Sequence, residues 1–316
     1  MDERRTLPEP DKRRVAKYLA LAFAALVAHL PAPRIAEAQD PAYLVKDIND
    51  AQDDLSSWGL LFVDEALEIG GVAYFVANDG IQGRELWRSD GTAAGTHLLK
   101  DIAEGSRGSA PSGLVSVGQT FYFVANSDTG ADLWRSDGTA EGTHLVRDFN
   151  PGSSVSAYTN LVGVGGSLLF GAYEDATGFE LWRSDGTSAG TSLVKDIAPG
   201  AAHGLDLFGA ILVEASGMVY FTASSSPGSN FTVLWKTDGT AAGTVPVRDI
   251  SNDGAGSVQN LTNVNGTLFF SASDTVDERR HYSGHEDPSR HRQWHQQLRG
   301  VEHCNGQGRS FLLRPE

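Results

Sequence analysis

The sequence predicts an all-β fold, a β-propeller or an open arc of four-stranded, propeller-like blades. Two observations predict it. The string ELWRSDGTAAGT from Glu85 returns as DLWRSDGTAEGT from Asp132, ELWRSDGTSAGT from Glu180 and VLWKTDGTAAGT from Val233. The tryptophans Trp87, Trp134, Trp182 and Trp235 are therefore spaced by 47 (134 − 87), 48 (182 − 134) and 53 (235 − 182) residues. A near-fixed period of this size marks tandem copies of one supersecondary unit. The second observation is the run chemistry between the copies. Short β-branched and aromatic runs are bounded by Gly, Asp, Asn, Ser and Pro, which is strand and turn composition, not helix.

Taken in order, residues 1–38 read as an export signal. Arg13, Arg14 and Lys17 precede the apolar run Tyr18 to Leu30, and Ala36-Glu37-Ala38 forms an A-x-A site before Gln39. The run is too short to span a bilayer, which takes about 20 residues. The mature chain is expected to be secreted, extracellular or periplasmic, with no membrane span. From Tyr43 it opens with YLVKDI, which matches the end of every later unit: HLLKDI, HLVRDF, SLVKDI and VPVRDI, ending at Ile102, Phe149, Ile197 and Ile250. The chain thus begins with the last strand of a repeat, an offset that a ring of repeats accounts for.

Within a unit, a short piece ending in Gly (GLVSVG, 113–118; NLVGVGG, 160–166; NLTNVNG, 260–266) is followed by an aromatic run. The aromatic runs are VAYFVA (72–77), TFYFVA (120–125), SLLFGA (167–172) and MVYFTA (218–223). The ELW and LVKDI segments complete four strands. Consecutive apolar residues such as Tyr74-Phe75-Val76 predict strands covered on both faces, as blades packed between blades are. The SDGT…GT segment is a hairpin turn, because Asp-Gly tolerates positive φ and Thr bonds locally to the backbone. Folding symmetrically about it predicts Trp87 opposite Leu98 and Glu85 opposite Lys100. The same count sets Asp132 against Arg147 and Glu180 against Lys195, while Val233 opposite Arg248 breaks the charge series. The repeat domain spans residues 39–276.

These strings resemble the ELWxxDGT repeat family of secreted bacterial proteins, over residues 43–272. The resemblance implies export, tandem β-units and a longer parent protein. It offers no catalytic residues to transfer.

Net charge is −15, and residues 39–276 carry 29 Asp and Glu against 11 Lys and Arg. Such a surface repels phosphate backbones, so nucleic acid is not an expected partner. The single Cys304 allows neither an intrachain disulfide nor a cysteine metal site. Asp90, Asp137, Asp185 and Asp238 each stand alone in their turns, whereas Ca²⁺ takes six to eight oxygens. Turn chemistry accounts for them. The oxygen-richer Asp249-Ile250-Ser251-Asn252-Asp253-Gly254 lacks EF-hand spacing, and no cofactor is expected. His97, His144 and His203 are scattered, and GxSxG, P-loop and HExxH patterns are absent. The Trp series is expected in the core, with Trp134 almost wholly buried.

Recognition is expected on the loops between the aromatic strand and ELW, where the repeat varies most. The candidate residues there are Asn78, Asp79, Gln82, Asn126, Asp128, Tyr173, Glu174, Asp175 and Asn230. The reading is an exported, non-catalytic repeat scaffold with an extracellular glycan or protein as partner. The alternative is a carbohydrate-active hydrolase or lyase with paired carboxylates at the ring centre.

After Asp274 the pattern calls for another ELW unit and does not find one. Five of the nine histidines, seven arginines and the cysteine fall within residues 277–316. This break predicts a shift of reading frame near residue 278, an unpacked tail, and a fifth blade without its ELW hairpin.

Overall fold

The computed structural model describes residues 44–48, 65–128, 130–149, 160–205, 211–224, 232–248, 255–274 and 309–313. The export signal, Asn230, the string 249–254 and most of the tail lie outside the described residues. Those described are all-β, arranged as four four-stranded antiparallel sheets and one three-stranded sheet. No helix among them is long and apolar enough to cross a membrane. By contacts the chain divides into two compact units, Met1–Ser112 and Gly113–Glu316.

Unit one holds blade 1: β1 (Ala66–Ile69), β2 (Val72–Asn78), β3 (Arg84–Ser89) and β4 (His97–Lys100), in that spatial order. Ala73, Phe75 and Ala77 alternate along β2 and so share one face. They form a core with Trp87, against which Ile48, Ala66 and Leu98 pack.

Unit two contains blade 2, formed by β5 (Ser112–Val117), β6 (Thr120–Asn126), β7 (Ala131–Ser136) and β8 (His144–Arg147), with β5 starting at the boundary. Blade 3 is β9 (Val162–Val164), β10 (Ser167–Glu174), β11 (Gly178–Ser184) and β12 (Ser192–Lys195). Blade 4 is β13 (Val213–Ala215), β14 (Met218–Ser224), β15 (Thr232–Thr237) and β16 (Val245–Arg248). Blade 5 is β17 (Ala255–Val264), β18 (Thr267–Asp274) and β19 (Arg309–Leu313).

Strand alternation decides what each aromatic run touches. Leu168, Phe170 and Ala172 face back onto Tyr122, Leu133 and Val146 of blade 2. Their neighbour Leu169 faces forward onto Val219, Phe221 and Ala223 of blade 4. Tyr220 in turn meets Leu268 and Phe270 of blade 5. Within unit two, each of these layers between blades is thus one apolar cluster, and burying one such side chain stabilises by about 1.5–3 kcal/mol. Trp134 is 9% exposed, as its place in every repeat predicts.

The turn forms the same clasp four times. Asp90 Oδ1 accepts from the Thr92 N–H at 2.9 Å and its hydroxyl at 2.7 Å, and Thr92 Oγ1 accepts from the Gly95 N–H at 2.9 Å. Asp137, Asp185 and Asp238 repeat this pattern with Thr139, Thr187 and Thr240. These bonds to the charged form hold all four carboxyls below their ordinary range. Gly91, with φ 86°, occupies the left-handed position that closes the turn.

The hairpin register is half as predicted. Trp87 pairs with Leu98, but Lys100 pairs with Leu86, not Glu85, because a bulge falls between Leu86 and Trp87. Arg147 likewise lies opposite Leu133, Lys195 opposite Leu181 and Arg248 opposite Leu234. The extra residue puts a leucine, not the acid, opposite each basic residue, so the predicted cross-strand register of acid and base does not hold. Three of the basic residues, Lys46, Arg147 and Lys195, reach onward to the next turn instead. Lys46 Nζ donates to the Thr96 carbonyl at 2.7 Å, Arg147 to Thr191 at 3.3 Å and Lys195 to Thr244 at 2.8 Å.

Of the tail, residues 309–313 are described, and they are a strand. Phe311 pairs with Phe270 at the register where Trp235 pairs with Phe221 in blade 4. RSFLL therefore fills the third-strand place of an ELW segment, which differs from the expected unpacked tail. An apolar run can satisfy an open strand edge without the repeat's own sequence.

Candidate functional site

The candidate loops all leave the second strand of a blade, and they differ in how much of their polar chemistry they consume themselves. In blade 1, Asn78 Oδ1 accepts from the Gly80 N–H at 2.8 Å. Asp79 Oδ1 accepts from Ile81 at 2.8 Å and Gln82 at 2.7 Å. Both acceptors are used to shape the loop, which leaves Ile81 at its tip 68% exposed. In blade 2, Asn126 and Asp128 are exposed. The adjacent Ser127 ties the loop down through the Gly130 carbonyl at 2.7 Å and Asp132 Oδ2 at 3.0 Å.

Blade 3 brings more chemistry together. Glu174 ends β10 and accepts from Arg147 of blade 2 at 2.6 Å. The guanidinium carbon of Arg147 lies 4.7 Å from both the Phe149 and Trp182 ring centres, and those rings meet edge-on at 5.0 Å. Glu174 is thereby committed to joining two blades. Its neighbours are not. Tyr173 is half-buried and its ring lies 5.9 Å from that of His203, which the link to blade 4 delivers. Desolvation, then the Asp175 carboxylate that accepts its hydrogen bond, push the Tyr173 phenol up. His203 Nδ1 accepts from the Phe179 N–H at 3.1 Å, which fixes the tautomer with its proton on Nε2. Asp175 and His203 are both exposed. An aromatic ring, a carboxylate and an imidazole N–H thus share one accessible corner.

Beneath this corner lies a group that sequence reasoning assigned to another partner. Glu180 is wholly buried, and its carboxylate accepts from the Ile197 N–H at 3.1 Å and the Ala198 N–H at 3.0 Å. Desolvation pushes it up to about 7. Backbone bonds oppose that shift and the Asp196 charge adds to it. Glu85 plays the same part in blade 1. It accepts from Ala103 N–H at 3.2 Å, Ser109 N–H at 2.7 Å and the Ser109 hydroxyl at 2.5 Å. Burial raises its pKa too, with the Ser109 hydroxyl the leading opposing cause. In blades 1 and 3 the acid of ELW therefore anchors the link that leaves its own blade, whereas Asp132 accepts from Ser127 in the loop of its own blade. A signal for the blade 1 bond exists in the sequence: Ser109 and Ser156 follow the basic residue of their unit by nine positions (109 − 100, 156 − 147), in units that carry an acid before Leu-Trp. Gly204 stands at that place after Lys195, so Glu180 lacks the hydroxyl that Glu85 has.

Asn230 lies outside the described residues. Among those described, no group of three or more His, Cys, Asp or Glu side chains is placed to hold a metal ion.

No family model and no curated protein matches the chain. Among solved structures it is similar to puromycin hydrolase (S511A mutant complexed with PGG), at 15% identity and a TM-score of 0.43, over 66% of this chain and 34% of that one. It is similar to a putative TolB from Agrobacterium tumefaciens, at 13% identity and a TM-score of 0.36, over 66% and 68%. It is also similar to a putative exo-β-1,3-galactanase from Bifidobacterium bifidum s17, at 14% identity and a TM-score of 0.32, over 66% and 80%. The chain spans about a third of the length of the hydrolase. Likenesses this distant assign no chemistry to its residues.

Proposed function

We propose that the chain is an exported repeat scaffold of the ELWxxDGT kind, which binds an extracellular glycan or protein without turning it over. The carrying observation is the blade 3 corner, where Tyr173, Asp175 and His203 are accessible together. A half-buried ring offers an apolar face to a sugar ring or side chain, and the flanking polar groups fix its orientation. Glu85 and Glu180, the carboxyls that burial raises, are both enclosed by links and cannot touch a ligand. That use of acids is structural.

The alternative is a carbohydrate-active hydrolase or lyase. The solved structures to which the chain is similar include one named a hydrolase and one a putative galactanase, and the test separates the two readings. Glycan-array and extracellular-protein binding would be measured for the secreted chain, with product release followed on every binder. The expected result is saturable binding, weakened at least tenfold by Tyr173→Ala and by Asp175→Asn, and no product. Release of sugar products that survives both substitutions would establish the alternative.

A further inference from the structure

We propose that the open face of blade 5 docks head to tail on the blade 1 end of a second copy of this chain. In unit two, the third residue of each aromatic strand points to the following blade. Tyr122 is 3% exposed, Leu169 0% and Tyr220 3%, each covered by its successor. The same position in blade 5 is Phe269, which is 36% exposed. Val264 is 47% exposed, although its counterparts Val117, Val164 and Ala215 all pack into the layer toward the next blade. Blade 5 thus presents the apolar face of an internal repeat at the end of a stack. Repeat arrays need a polar outer face or a further partner there.

The occupant follows from what the other end offers. Residues 43–48 read YLVKDI, the fourth-strand string. Lys46 holds the Thr96 carbonyl as Arg147 holds Thr191 and Lys195 holds Thr244. Residues 44–48 therefore sit on blade 1 as β8 sits on blade 3 and β12 on blade 4, and Ile48 packs on Phe75 and Trp87. Yet among the described residues this fourth strand joins no sheet, and blade 5 has three strands with β19 at its edge. Blade 1 thus carries a fourth strand without a sheet, and blade 5 is a sheet without a fourth strand. Residues 44–48 of a second copy, laid along β19, complete blade 5, and the blade 1 face beneath them covers Phe269 and Val264. The contact joins unlike surfaces, so it propagates into rings or filaments.

Sedimentation velocity of the full chain over a hundredfold concentration range tests this. The expected result is a concentration-dependent series of oligomers. Val264→Lys with Phe269→Lys blocks the tail surface, and Lys46→Glu blocks the head, each giving monomers with unchanged circular dichroism. A 1:1 mixture of the two variants retains one competent head and one competent tail, so it forms heterodimers and nothing longer. A wild-type chain that stays monomeric throughout overturns the proposal. So do oligomers that persist in both variants, and a mixture that remains monomeric. A variant with altered circular dichroism is replaced by Phe269→Gln alone, for which at least a tenfold loss of association is expected.

Discussion

Replacing Glu180 with Gln removes a proton-binding group that burial has moved from 4.5 to about 7. A carboxyl raised in the folded state keeps its proton while the unfolded chain releases it. The associated stability is complete below pH 4.5 and is lost as pH rises through about 7. At about 1.4 kcal/mol per pH unit, the difference is about 3 kcal/mol in full. The effective dielectric of a protein interior is well above that of dry protein, which brings the measurable part to about 1–2 kcal/mol. Gln cannot titrate, but its amide nitrogen confronts the Ile197 or Ala198 N–H and costs about 1–3 kcal/mol at every pH. The informative quantity is therefore the slope. Urea unfolding at pH 5 and pH 8, followed by tryptophan fluorescence, should show wild type losing about 1–2 kcal/mol more than Glu180→Gln over that interval. Equal losses in both proteins would refute the assignment of the buried proton to Glu180.

Gly204→Ser adds the hydroxyl that Ser109 gives Glu85. Its Cβ would stand 2.4 Å from Glu180 Oε1, so the carboxylate must swing to accept the new bond, and the same unfolding series should show a flatter slope than wild type. Trp134→Ala empties a core position and should cost about 3–5 kcal/mol in urea. Arg147→Met removes the Glu174 ion pair and the Thr191 carbonyl contact, at a cost of about 1–2 kcal/mol that shrinks in molar salt. Arg147→Lys should recover little of this in thermal melts, since an ammonium cannot present a plane to both Phe149 and Trp182.

The blades were legible because their signals are local. Trp87 opposite Leu98 followed from counting outward from the Asp-Gly turn. Glu85 opposite Lys100 failed one residue further on, since a bulge adds a residue to one strand and leaves no mark in composition. A glutamate beside a lysine at matched register reads as a cross-strand pair, whereas the donors to Glu85 sit in the following link. The link strings do carry a trace of it, a serine nine residues after the basic residue in the units of Glu85 and Asp132. In the loops, nothing in NDGIQGR announced that Asn78 and Asp79 would be consumed by their own backbone. Nor did YEDATGF separate Glu174, bound to Arg147, from the accessible Tyr173 and Asp175 beside it. Which polar groups remain available depends on partners distant in the chain, such as Arg147 and His203.

The turn clasp has a consequence for how this chain could have grown. In all four copies the hydroxyl pair closing the hairpin is internal: Ser89 with Thr96, Ser136 with Thr143, Ser184 with Thr191 and Thr237 with Thr244, at 2.6 to 2.8 Å. The aspartate, the threonines and the glycines within the clasp likewise draw on one another. A duplicated segment carrying such a part arrives with its turn largely satisfied from within, and offers the carbonyl of its last threonine to the basic residue of the preceding fourth strand. Mutational drift is then free in the strands and links, where partners must be renegotiated after each duplication, and is resisted in the clasp, where any change breaks several bonds at once. Within the string that makes the repeat recognisable, the DGT turn is, on this account, less answerable to its neighbours than the ELW half, whose acid and tryptophan meet other segments.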